Sequence, residues 1–266
     1  MNFQETITSA IKDIEQHGYD SQSRVDGWMA AIDAAARKAM MPENEVQDLL
    51  NRTIRGIYGR MIERGGALSL HKGIAAYKLE QVKPKLRAEL DRRIMASSNL
   101  IKLNREHMIA KTRQRFTGWA TSIPSGGSLA VDKAEVKEDL RKALKQLPYE
   151  ERRVLIDQGH KFTAALNNII AVDGGAIAGK WHSHYRQAGY NYRVDHKERD
   201  GHIYLIRGNW AQEKGLCKPG PDGYEDQITA PGEEIFCRCN FVYIYSLRAL
   251  PDDMLTVKGR DALKVG

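Results

Sequence analysis

The sequence predicts an α+β protein, with a mainly helical N-terminal half and a compact C-terminal module of one long helix plus a small antiparallel β-sheet or hairpin. Three observations carry this. Apolar residues recur at three- and four-residue spacing through much of the first half. From Tyr149 a better-patterned helix runs to about Ala178, with Leu155, Phe162, Leu166, Ile169 and Ile170 along one side. Beyond Gly179 short β-branched and aromatic runs, Ile203-Tyr204-Leu205-Ile206 and Phe241-Val242-Tyr243-Ile244-Tyr245, alternate with turn chemistry at Asp200-Gly201, Arg207-Gly208, 218–223 and Pro231-Gly232.

Taken in order, the first helix carries Leu49, Leu50, Ile54, Ile57 and Met61 from Val46 onward, and Gly65-Gly66 ends it. A second places Val82, Leu86, Leu90 and Ile94 four residues apart, with Pro84 expected to kink it or mark its start. A third spans about Asn99 to Trp119. Ile123-Pro124-Ser125-Gly126-Gly127-Ser128 reads as a linker, followed by a short helix from Val131 to Leu147 that Pro148 closes. The expected partition is therefore a helical region over 1–122, a linker and short helix over 123–148, a compact module over 149–250, and a tail over 251–266. No internal repeat is visible.

Composition narrows the function classes. Of 266 residues, 42% are hydrophobic and 28% charged, the balance of an ordinary soluble protein. No apolar run reaches the eighteen or so residues that cross a bilayer, so no membrane partner is expected. Met1-Asn2-Phe3-Gln4-Glu5 lacks the basic-then-apolar order of a secretion signal. Three cysteines do not make a disulfide framework, which fits a product of a reducing cytoplasm. The net charge of +7 is uneven: residues 51–115 hold sixteen Lys/Arg against five Asp/Glu, whereas residues 1–50 hold four against nine. The basic segment 51–115 faces either nucleic acid, an acidic protein surface, or simply solvent beside the acidic N-terminal stretch.

The chemistry-bearing residues cluster late. Cys237 and Cys239 sit one residue apart at the start of a strand-like run, so alternation points both thiols the same way and Arg238 the other. Together with His196 and Cys217 they make a three-cysteine, one-histidine set of the kind zinc favours, and His184 or His202 could replace a member. The spacing is not that of a recognised zinc finger, and the alternative is buried free thiols with hydrogen-bonded histidines. A Cys237–Cys239 disulfide would be strained in so short an extended loop. Arg238 reads either as a solvent-facing charge or as a partner of Glu233 or Glu234. Trp181-His182-Ser183-His184 puts two imidazoles around a hydroxyl, but adjacency in sequence does not make a triad. No phosphate-binding loop follows Gly174-Gly175, and no segment places a His on a strand beside a ligand-bearing helix as a metal-dependent HNH nuclease requires. No catalytic residue is assigned.

The ordered set Trp181, Tyr192-Arg193-Val194-Asp195-His196, Gly201, Pro231-Gly232-Glu233 and Cys237-Arg238-Cys239 resembles the C-terminal module of phage Mu F-like minor head proteins, the head-morphogenesis family, over roughly residues 150–248. The matching positions are His196, Gly201, Pro231, Cys237, Arg238 and Cys239. Where that family has Asp-x-Arg-x-x-His, this chain has the Asp next to the His. The resemblance implies a non-enzymatic minor capsid protein of a tailed bacteriophage, made in the host cytoplasm and carried in the virion head in several copies. Its implied partners are the portal protein and the major capsid or scaffold proteins, with packaged DNA contacted through 51–115. The competing expectation is a metal-dependent nucleic-acid-binding protein or nuclease that uses the His/Cys cluster.

Overall fold

The computed structural model describes residues 1–123 and 133–265. Most of the expected linker, 124–128, and the start of the expected short helix lie outside the described residues. The fold is α+β: helices dominate the N-terminal half, and a small three-stranded antiparallel sheet occupies the C-terminal part.

The chain forms two compact units, each assembled from two stretches: residues 1–51 with 96–155, and residues 52–95 with 156–266. The change from one unit to the other falls inside long helices, whereas the sequence reading set its boundary between Ile123 and Pro148.

In the first unit α1 (Phe3–His17) opens with a capping box. The Asn2 side chain accepts the Glu5 N–H at 2.9 Å, and Glu5 accepts the Asn2 N–H at 2.8 Å. α2 (Gln22–Ala39) follows, and α3 (Glu43–Tyr58) begins there. Ile7, Ile14, Ile32, Phe116 and Leu140 form the centre of an apolar core, all essentially inaccessible to solvent. Asp13 ties α1 to α2 by accepting from Trp28 Nε1 at 2.7 Å and Arg24 at 2.9 Å.

Two expected breaks do not occur. The second and third predicted helices are one helix, α5 (Ala76–Ser122), which runs through Pro84. The predicted short helix and the long helix after it are likewise one, α6 (Lys133–Gly174), with Pro148 inside. Within a helix a proline removes one hydrogen bond and crowds the preceding turn, costing about 3 kcal/mol. Around Pro148 the apolar stripe nevertheless continues as Leu140, Ala143, Leu147, Val154 and Leu155, all buried. At about 1.5–3 kcal/mol for each large side chain, that burial outweighs one proline. The Arg105–Glu151 ion pair, 2.5 Å long with both side chains 11% exposed, holds the same stretch of α6.

In the second unit α3 ends in a π-turn over Gly59–Glu63, and the Gly65-Gly66 stop is followed by α4 (Gly66–Leu70). The sheet has the order β2-β1-β3, built from β1 (Ala178–His182), β2 (Ile203–Leu205) and β3 (Asn240–Ile244). β1 is central and antiparallel to both neighbours, with Gly179 opposite Tyr204 and Tyr243, and Trp181 opposite Phe241. The sequence reading found β2 and β3 but not β1. A side chain at Gly179 would lie 2.9 Å from the Phe241 ring, so glycine lets that ring cover the strand. α7 (Val194–Glu198) and α8 (Trp210–Glu213) punctuate the loops, and the expected tail contains a further helix, α9 (Val257–Val265).

Candidate metal centre

One face of the sheet carries Trp181, Tyr204 and Phe241, which pack with Cys237 and Cys239 into a small core. The two cysteines precede β3 by one to three residues and make no ladder hydrogen bonds of their own. Both thiols nonetheless point to the same place, as alternation predicts. Arg238 turns away: its guanidinium stacks over the Tyr190 ring at 5.4 Å and donates to Gln187 Oε1 at 3.4 Å. Neither Glu233 nor Glu234 pairs with it, and Glu234 instead holds Arg193 at 2.5 Å.

α7 delivers His196 to this core. Its ring packs edge-on against Trp181, with centroids 5.2 Å apart, and only 1% of the residue is exposed. The Nδ1 atom lies 3.6 Å from Cys237 Sγ and 3.7 Å from Cys239 Sγ. On the ring's other side Nε2 lies 3.4 Å from Glu234 Oε2. Both of those atoms are buried; Oε2 is also the atom that holds Arg193, and Nε2 makes no well-formed hydrogen bond. His196, Cys237 and Cys239 thus present three donor atoms within 4.8 Å of one another, all on buried residues. They form a His/Cys cluster that could hold a metal ion.

The loop before the cysteines is shaped for this. Gly232 adopts φ +80°, a left-handed conformation that disfavours side chains, and donates its N–H to Cys237 Sγ at 3.4 Å. Phe236 is the one described non-glycine residue with positive φ, at 60°. It is pinned on both sides: its N–H donates to Asp157 Oδ1 of α6 at 2.6 Å, and its carbonyl accepts from Tyr190 Oη at 3.2 Å. A strained residue persists only where its surroundings over-determine it.

Electrostatics favour a thiolate at Cys237. The Cys239 thiol hydrogen-bonds to it, and the backbone N–H groups of Gly232 and Cys239 add to that. These outweigh burial and the nearby His196 adds to them, so the Cys237 thiol is held well below the ordinary thiol value. Cys239 moves the other way, because its proton is committed to Cys237 and its site is buried.

Cys217, the fourth expected ligand, is not brought to the cluster. It lies in a different core with Leu205, Met254 and Leu255, bridged to Leu255 by backbone pairing and 3.7 Å from Asn209 Oδ1. Burial pushes its thiol up, the behaviour of a small apolar core residue and not of a ligand. Neither candidate substitute supplies a ring nitrogen to the cluster. His202 faces Asp222 at 2.8 Å and is about half exposed. His184 contributes only its backbone N–H, to the Cys239 sulfur. The Ser183 hydroxyl accepts from the Tyr185 N–H at 3.4 Å and is bonded to neither flanking imidazole, so the geometry forms no triad. Glu234, Gly232 and Asp157 support the cluster, and sequence reasoning gave none of them that role. The signal available for Gly232 was the Pro-Gly pair.

No family model matches this chain, and neither does any curated protein or solved structure.

Proposed function

We propose that the chain is a minor structural protein of a tailed-phage head, with its C-terminal unit pinned by a structural zinc ion. The observation that supports this reading is convergence. Residues 40 or more positions apart in sequence, His196 with Cys237 and Cys239, meet at one buried point, and the Gly232 N–H reaches the Cys237 sulfur there. These are the positions that carry the resemblance to the head-morphogenesis module.

Zinc suits the donor set. With Zn–N of about 2.0–2.1 Å and Zn–S of about 2.3 Å, a tetrahedral N···S edge is about 3.6 Å. The observed separations of 3.6 and 3.7 Å match it. His196 would bind through Nδ1, leaving Nε2–H facing Glu234 Oε2 at 3.4 Å, the arrangement of the carboxylate–histidine pairs that fix ring orientation at metal sites. Backbone N–H groups on the Cys237 sulfur would stabilise a bound thiolate in the same way. The three ligand residues are at most 4% exposed and are enclosed by Trp181 and Phe241. That enclosure leaves little path for a substrate, although the three donors are one short of the four protein ligands of a closed structural site.

In this reading the partners are the portal protein and the major capsid or scaffold proteins, and the site of action is the virion head. Contact with packaged DNA would draw on cations of 51–115, which the fold divides between its two units. Several of these, such as Arg92, Arg93 and Arg105, already pair with carboxylates. Phosphate attraction would therefore rest on the remainder and be weakened by salt.

Three measurements test the proposal. Protein purified without chelators should carry about one equivalent of zinc, and less than about one-tenth would remove the metal. Co-expression with the portal protein should yield a complex that co-purifies. A gene deletion that leaves normal heads and full infectivity would overturn the assembly role.

A further inference from the structure

The second unit also contains a cavity of about 650 Å3, within the size range of ligand pockets. One wall is α6, through Lys161, Ala164 and Asn168. Facing it are the segment 225–233 and the β3 residues Phe241 and Tyr243. Exposed Asp226 and Glu233 lie at its rim.

The charge inventory of the lining decides what would bind. Asp226 is paired with Arg207 at 2.7 Å. Glu233 accepts the Ala230 N–H at 2.7 Å. Lys161 lies 3.5 Å from Asp157 and donates to the Glu233 carbonyl at 3.2 Å. Arg93 keeps a buried Nε without a partner; it shares the Glu89 carboxylate, at 3.1 Å, with Arg92, and Gln158 takes another of its donors. Tyr243 donates to Asn168 at 3.2 Å. Glu225 differs from all of these. Its Oε2 is buried with no hydrogen-bond partner, and no cation of the described lining faces it in an ion pair.

A half-buried carboxylate with one oxygen wholly shielded and no counter-charge is costly to keep ionised, and the cost is relieved by a cation that brings its own donors. The wall around it suits the rest of such a ligand. Phe241 and Tyr243, with ring centroids 5.8 Å apart, offer aromatic surface to a cation, and Ile228, Ala164 and Pro231 offer apolar surface to its stem.

We propose that this cavity binds an organic cation, a guanidinium or ammonium group on an apolar stem, with Glu225 as its counter-charge. The inference does not rest on a bound metal or on the head-assembly reading, although Gly232 and Phe241 border both the cavity and the His/Cys cluster. Burial, with a smaller contribution from Asp226, pushes the Glu225 carboxyl up to about 7. The other titratable groups facing the cavity are Asp226, Glu233, Tyr243, Lys161 and Arg93. Seating a cation favours the ionised carboxylate, so binding near neutral pH releases protons.

Calorimetry on the full chain at pH 7 and low salt tests this, using agmatine and the blocked peptide acetyl-Gly-Arg-Gly-amide as probes. We expect saturable binding of at least one probe, with a heat that depends on the buffer's ionisation enthalpy. Glu225→Gln should weaken it about tenfold or more and abolish the buffer dependence. Ala165→Trp, which fills the cavity without touching the charge, should weaken it similarly. Tighter binding of agmatine would identify a free small cation as the ligand, and tighter binding of the peptide a basic side chain of a partner protein. No binding of either probe at about 10 mM would overturn the proposal, as would equal binding by wild type and Glu225→Gln.

Discussion

Gly232 is where backbone conformation, packing and the metal centre meet, and Gly232→Ala tests all three. A side chain at φ +80° costs about 1–2 kcal/mol by itself. The new Cβ would also stand 2.9 Å from the Ala164 Cβ on α6, closer than such atoms approach, so one of them must move. Overpacking of this kind costs about 1–3 kcal/mol. The expected loss is about 3 kcal/mol, measured by urea denaturation of the full chain followed by tryptophan fluorescence. Two companions separate the contributions. Gly201→Ala has the conformational cost alone, because φ is +89° there and nothing lies within 4 Å of the added Cβ. Ala164→Gly should destabilise the wild type by up to about 1 kcal/mol through helix propensity, yet restore stability in the Gly232→Ala background. The cycle should give a coupling energy of about 1–3 kcal/mol. Displacing the Gly232 N–H from the Cys237 sulfur should lower metal affinity about 10- to 100-fold, comparable to losing other supporting contacts at metal sites. A Gly232→Ala protein within about 0.5 kcal/mol of wild type, or a cycle with no coupling, would refute the packing argument.

Two other outcomes follow from the same geometry. Cys237→Ser or Cys239→Ser should each lose the metal as read by elemental analysis, whereas Cys217→Ser should keep it, since Cys217 packs in a different core; loss in all three would restore Cys217 as a ligand. His71 is buried, with Nδ1 2.7 Å from Tyr245 Oη and Nε2 3.1 Å from Asn167 Oδ1, and burial holds its pKa below the ordinary value. The unfolded chain therefore takes up this proton first. The stability His71 contributes is complete above about 6.5 and is lost as pH falls from there through the depressed folded value. His71→Gln should flatten that part of the pH–stability curve, and an unchanged slope between pH 7 and 5 would refute the assignment.

The parts of this molecule that were legible in sequence are those whose cause is local. β2 and β3 announce themselves through Ile203-Tyr204-Leu205 and Phe241-Val242-Tyr243-Ile244. The central strand β1, Ala178-Gly179-Lys180-Trp181-His182, has no β-branched residue, and its extended form comes from having a partner on each side. Pro148 is a local stop signal that a buried stripe overrides, and Pro84, expected to kink a helix or mark its start, lies inside α5 and does not start it. At the site, the Cys-x-Cys spacing and His196 were sufficient to find the three residues of the cluster that could hold a metal ion. Cys217 misled because a thiol used for packing and a thiol used for ligation look the same in sequence. Glu225 was invisible for the complementary reason: its interest lies in what does not face it, a tertiary property of 225–243 and α6.

The order of cause at the metal centre can also be argued. If metal alone shaped the 231–239 loop, its conformation would depend on ligand bonds. The strained Phe236 is instead fixed by Asp157 and Tyr190, and Gly232 is seated against α6 at Ala164, all through groups that are not ligands. Glu234 is anchored independently by Arg193 at 2.5 Å, which places its carboxylate beside His196 Nε2. The protein scaffold thus sets the donor atoms at metal-binding separations through contacts made elsewhere. Less ordering then remains to be charged against binding, so preorganisation raises affinity for an ion that matches the spacing. It also means that the ion would lock a loop that α6 has already positioned, which is the task of a structural metal in a module with so small a sheet.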